Sequence, residues 1–93
     1  MTKEEFMKLC EPIADLVEAK ALDYNGHQVK LEQYFPFGDK SYVHMMMTKV
    51  LRLVNLAHST RPTNFESRKD SVEDLIAYAI FYIDYLNKEG KPK

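Results

Sequence analysis

"DSVEDLIAYAIFYIDYL", residues 70–86, is the stretch whose reading decides the fold. A surface helix of a small domain needs one apolar stripe, with polar residues around the rest of its circumference. Wound at about 100° per residue, this segment carries two. Val72, Leu75, Ile76, Ala79, Ile83 and Leu86 make a main apolar face. Asp70, Asp74, Tyr78, Phe81 and Tyr85 make a second line roughly 130° away on the same helix. Burying each aromatic of that line contributes on the order of 1.5–3 kcal/mol. A partner helix is therefore expected against it, from another subunit or from elsewhere in the chain. Asp74 then lies at the rim of that contact, one turn from Asp70. A carboxylate there can bind metal, take a proton or pair with a cation.

Outward from this stretch, apolar positions keep helical spacing, and only three glycines and four prolines occur. The reading is an all-α domain of three long helices plus a short connecting helix, its bundle completed by self-association through the aromatic face. The last helix is expected over 65–88. A second, over 42–58, is expected to start at Ser41 as its N-cap, with Val43, Met46, Met47, Val50, Val54 and Ala57 on its main apolar face. The first helix opens on Thr2-Lys3-Glu4-Glu5, a capping-box pattern, and presents Phe6, Leu9, Ile13, Leu16, Val17 and Lys20 on one face. Pro12 predicts a kink or a restart, and Asn25-Gly26 predicts the stop. Between the first two helices, "HQVKLEQYF" has room for a short helix and "PFGDK" reads as a turn.

Bulk properties narrow the function classes. A chain of 93 residues suits one domain over 1–93. At that size only about 60–65% of the unfolded surface is buried, so a homo-oligomer is expected. With 45% hydrophobic and 29% charged residues the composition is globular, and a net charge of −1 gives no field to recruit nucleic acid or an anionic membrane. The longest apolar run, residues 75–83, falls far short of the roughly 20 residues that span a bilayer. One cysteine, Cys10, excludes an intrachain disulfide. Without a signal-peptide pattern, the expected setting is reducing and cytoplasmic.

Several constellations bear on chemistry. Glu11, Asp15 and Glu18 form a carboxylate stripe able to attract a hard cation, but it points away from the first helix's apolar face, as a solvated stripe does. Lys49 and Arg52 are neighbours on the polar side of the second helix, beside Thr48 and Asn55. Arg52 suits a phosphate or Asp74; a plain structural ion pair fits equally. His27, His44 and His58 share no ligand spacing, and Met45-Met46-Met47 reads as core filling.

Four features together carry a resemblance: "KALDYN" (20–25), "FGDKSYVHMMMTKVLRLVNL" (37–56), "NFESRKDSVEDLIAYA" (64–79) and their spacing. They resemble the nucleotide-modification-associated domain of the first type, a small helical family common in bacteriophages, over about residues 18–86. That family is distantly similar to the all-α nucleoside-triphosphate pyrophosphatases of the MazG type, which bind Mg²⁺ through acidic helix motifs and bury nucleotide in a helical groove.

The resemblance implies a domain that binds or acts on phosphorylated nucleotides, as a pyrophosphatase or a modification accessory. It marks Asp23, Tyr24, Asn25, Lys49, Arg52 and Tyr78 as ligand-binding residues. Glu66, Asp70 and Asp74 become Mg²⁺ ligands, with Asp70 and Asp74 catalytic. The alternative is a non-catalytic phage counter-defence protein that sequesters a nucleotide signal or binds a host protein. Two departures from the pyrophosphatase pattern stand in the sequence. Lys49 and Arg52 replace the first acidic helix motif, and the last helix carries D-x-x-x-D, while Asn25 separates Tyr24 from Gly26.

Overall fold

Helical spacing in three segments becomes three long helices in the computed structural model of the chain. It describes residues 1–25, 30–60 and 64–89, with side chains for 1–21, 30–60 and 67–89. The helices are α1 (Lys3–Asn25), α2 (Asp39–Ala57) and α3 (Asn64–Glu89), with a single 3₁₀ turn at Leu31–Tyr34 where a short helix was expected. The fold is all-α, with no strand among the described residues. None of these helices is long and apolar enough to cross a membrane. The chain divides into two compact units, Met1–Tyr34 and Phe35–Lys93.

In the first unit, Thr2 starts α1 as its pattern predicts. Its Oγ1 accepts the Glu5 N–H at 3.1 Å and donates to Glu5 Oε1 at 3.1 Å. The second contact goes to the side chain, so the reciprocal backbone bond of a full capping box is replaced by a hydroxyl–carboxylate bond. Pro12 lies inside one uninterrupted helix, against the expected restart. It sits on an exposed side, where water can serve the carbonyl that loses its donor. Ile13 is buried and Cys10 and Val17 half-buried, while Phe6, Leu9 and Leu16 stay exposed. Glu11, Asp15 and Glu18 are exposed, as a solvated stripe should be.

The second unit is a helical hairpin whose entry is a tight turn. The Gly38 N–H donates to the Phe35 carbonyl at 3.3 Å, with Pro36 presetting the turn. Gly38 has φ 60° and ψ −132°, a conformation open to glycine, and its carbonyl takes the N–H groups of Ser41 (2.9 Å) and Tyr42 (3.3 Å). The helix therefore starts at Asp39, ahead of the expected start, and Ser41 is not its N-cap. Instead Ser41 Oγ accepts the Phe37 N–H at 2.9 Å and ties the turn to the first helical residues.

Asp39 lies opposite Tyr82 and Lys49 opposite Asp74, so α2 and α3 run antiparallel. Their seam is built on Tyr42, which is 1% exposed. Phe35 stacks on it at 4.0 Å and 7°, Tyr82 at 5.3 Å and 12°, and Tyr85 lies tilted at 5.0 Å. Tyr78 and Phe81 meet Phe35 edge-on at 6.1 and 6.4 Å. The aromatic line of α3 is thus covered within the chain, by α2 and the turn before it, and needs no second subunit.

This reverses the expected core. Tyr42, Met45, Met46, Lys49, Leu53 and Leu56 are the buried or half-buried side of α2, whereas Val43, Met47, Val50, Val54 and Ala57 are exposed. Among the described residues of α3 the buried one is Ser71 and the aromatic line is half-buried; of the expected face, Leu75, Ile76 and Ala79 are half-buried too, while Val72, Ile83 and Leu86 are exposed. Rings bury more area per side chain than valine or isoleucine and gain from mutual stacking, so they take the seam. Ser71, a small residue, is 2% exposed.

Candidate functional site

The polar side of the hairpin brings charges of both helices together. Lys49 Nζ lies 3.1 Å from Asp74 Oδ2, with side-chain exposures of 19% and 31%. Position along the seam explains the pairing. Tyr42 locks α2 against Tyr82 and Tyr85, and stepping seven residues up α2 and about eight down α3 brings Lys49 level with Asp74. The carboxylate expected at the rim of an aromatic contact is there, and its partner is Lys49, not Arg52.

Arg52 is exposed, as is Asp70. Both fall on the same side of the hairpin as the ion pair, since each lies roughly 80–100° round its helix from the seam in the same rotational sense. The antiparallel register puts them at the same level. Tyr78 is half-buried and belongs to the aromatic cluster, edge-on to Phe81 at 6.1 Å as well as to Phe35. The side chains of Asp23, Tyr24, Asn25 and Glu66 lie outside the described residues, as does His27. Thus Lys49 pairs with Asp74, exposed Arg52 and Asp70 share that side of the hairpin, and Tyr78 lies in the aromatic seam.

A second polar group was not marked by sequence spacing. Tyr82 donates to Asp39 Oδ1 at 2.7 Å, and Tyr85 donates to Glu89 Oε1 at 2.8 Å. The bond to Asp39 raises the Tyr82 pKa, helped by burial and by the charges of Asp39 and Glu89. Tyr85 is pushed up to about 12, first by its bond to Glu89, then by burial and the charges of Glu89 and Asp39. These phenols remain protonated donors at neutral pH, which suits them to holding the hairpin and not to proton transfer. The only sequence hint was Asp39 directly after Gly38, in a first helical turn where an acid is favoured.

The chemistry open to the first group follows from its donors. Lys49 offers three N–H donors on a compact charge and Arg52 a planar fork suited to phosphate. Among the described residues, no three of His, Cys, Asp and Glu gather as a metal ligand set. Of the expected Mg²⁺ ligands, Asp74 is engaged by the Lys49 ammonium, Asp70 is exposed, and the Glu66 side chain lies outside the described residues. Comparison with known proteins finds no matching family model, no matching curated protein and no matching solved structure.

Proposed function

We propose that this chain is a nucleotide-binding helical domain that holds a phosphorylated nucleotide on the polar side of the α2–α3 hairpin. The observation that carries the reading is the half-buried Lys49–Asp74 pair with exposed Arg52 on the same side. A lysine positioned by a carboxylate can turn its remaining donors to a phosphate oxygen, while Arg52 supplies the fork. Asp70, exposed one turn from Asp74, is placed to accept from a sugar hydroxyl or to share a cation brought in with the phosphates. Resemblance in the three sequence fragments and their spacing supports the same ligand class.

Binding without turnover is the favoured form of this reading, because Asp74 is already engaged by Lys49. Sequestration of a nucleotide signal fits that state; pyrophosphate hydrolysis with Mg²⁺ requires Asp74 to leave the lysine for the metal. The test is a panel of common ribo- and deoxyribonucleoside mono-, di- and triphosphates, measured by calorimetry with Mg²⁺ and with chelator, then by chromatography for products. Retained binding under chelation with no product is the expected result, and Arg52→Met should weaken it about tenfold to a hundredfold, the loss of one charge-assisted contact of roughly 1.5–3 kcal/mol. Product formation that depends on Mg²⁺ and on Asp70 and Asp74 would establish the hydrolase form. Failure of every nucleotide to bind a folded chain would abandon the ligand class and leave a host protein as the remaining partner.

A further inference from the structure

We infer that the outer apolar face of the α2–α3 hairpin is covered by the same face of a second copy of this chain, closing a four-helix bundle. The face has a simple geometric origin. Val43, Met47, Val50 and Val54 lie roughly 80–140° round α2 from the seam, in the direction of increasing residue number. On α3, Val72, Ile83 and Leu86 lie roughly 60–120° round in the same sense. Because the helices are antiparallel, equal rotations turn both stripes to one side of the hairpin. The charged group of Lys49, Arg52, Asp70 and Asp74 falls on the other.

These seven side chains keep between 41% and 57% of their surface exposed. Between Val43 and Ala57 and between Val72 and Leu86 no charged residue interrupts either stripe; half-buried Met46 edges the first toward the seam, half-buried Leu75, Ile76 and Ala79 continue the second, and Arg68 stands one turn before Val72. Together they expose roughly 600 Å² of apolar surface before the rims are counted, against about 800 Å² per partner in a standard interface. An uncharged face of two parallel stripes is self-complementary, so a two-fold axis through it pairs stripe with stripe as in helical bundles. A foreign partner would need a matching apolar face of its own; a second copy already has one. In such a dimer the two charged groups face outward on opposite sides, one per hairpin, so ligand binding and association use different surfaces. The inference therefore does not depend on the nucleotide reading.

The experiment is the solution mass of the full chain by sedimentation equilibrium and light scattering, for wild type, Val50→Lys, Ile83→Lys and Thr48→Lys. Thr48 is exposed on the polar flank, so its lysine adds the same charge away from the proposed interface. Wild type and Thr48→Lys should have the mass of two chains. Val50→Lys and Ile83→Lys should fall to one chain, or to one unfolded chain if the hairpin depends on its partner; Thr48→Lys distinguishes that from a general effect of added charge. A single-chain mass for wild type at its highest soluble concentration would overturn the inference and leave a segment of the same chain as the cover. So would a two-chain mass that survives both apolar-face substitutions, or one that is lost in Thr48→Lys.

Discussion

Two sides of the α2–α3 hairpin differ in what they are made of and in how they are covered. The seam is aromatic and layered, with Phe35, Tyr42 and Tyr82 stacked face to face and Tyr78, Phe81 and Tyr85 around them. The outer face is aliphatic, with Val43, Val50, Val72 and Ile83 each about half exposed. Hydrophobicity alone would send the aliphatic face inward. Ring area, stacking geometry and the polar tips of the tyrosines send the aromatic face inward instead, since a phenol can be buried on its apolar body while its hydroxyl reaches Asp39 or Glu89 at the edge. The lesson is that a helix with two candidate core faces is settled by shape and polar satisfaction, and the face left over stays exposed.

The sharpest way to break the comparison is Tyr42→Ala. Removing the ring at the centre of the stack should cost about 3–5 kcal/mol, read as a lower urea midpoint with unchanged slope. A loss no larger than that of an outer-face Val50→Ala would mean that the seam is not the core of the hairpin. Next in size is Gly38→Ala. At φ 60° a side chain is strained, and its Cβ would stand 2.8 Å from Tyr85 Oη. The expected cost is about 1–3 kcal/mol. Repeating it in a Tyr85→Phe background divides the effect: the part that vanishes belongs to the hydroxyl contact, the remainder to the backbone.

Much of this was legible in the sequence and some was not, for identifiable reasons. Number, type and order of the long helices followed from apolar spacing, and the ends of α3 fell one residue either side of the expected 65–88. Thr2 was recognisable because no rival cap stands nearby. Ser41 was misread because the helix already starts at Asp39, with the Gly38 carbonyl accepting the N–H groups of Ser41 and Tyr42, which leaves the serine side chain to the turn. The sides of each helix were legible, but which sides meet was not, because a helical wheel contains no partner. Likewise the acids and bases were marked on their own helices. The choice of Lys49 over Arg52 for Asp74 depends on the register that the Tyr42 stack imposes between α2 and α3, and no spacing within one helix encodes it.

The Lys49–Asp74 pair tests whether the seam's polar rim contributes to the fold. Asp74→Ala leaves a largely covered ammonium without this carboxylate. For a fully buried pair the loss would be about 3–5 kcal/mol, but with 31% of the Asp74 side chain exposed about 1–2 kcal/mol is expected. The double variant Lys49→Met/Asp74→Leu should recover most of it, because neither desolvated charge remains. A double-variant loss equal to the sum of the two single-variant losses in a thermodynamic cycle would show that the two side chains act independently.

The smallest expected effect concerns the phenols at the end of the seam and has a definite sign. Tyr85 titrates at about 12 in the folded chain against 10.0 for an ordinary tyrosine. A group whose folded pKa is raised contributes its stabilisation fully below the unfolded value and loses it as pH climbs through the folded one. The hairpin should therefore hold its full stability up to about pH 10 and weaken between 10 and 12. Near-ultraviolet phenolate absorbance, followed with helical circular dichroism, reads both events in one titration. Tyr82, raised by Asp39, should also ionise later than an ordinary tyrosine. The cause can then be separated from the consequence. Glu89→Gln removes the main cause of the raised Tyr85 pKa, the hydrogen bond to a carboxylate, while leaving the ring in the seam. If the late phenol step moves back toward 10, the carboxylate holds the proton. If it stays near 12, burial against Tyr42 is responsible, and the aromatic seam protects its own hydroxyls without help from the acids at its edge.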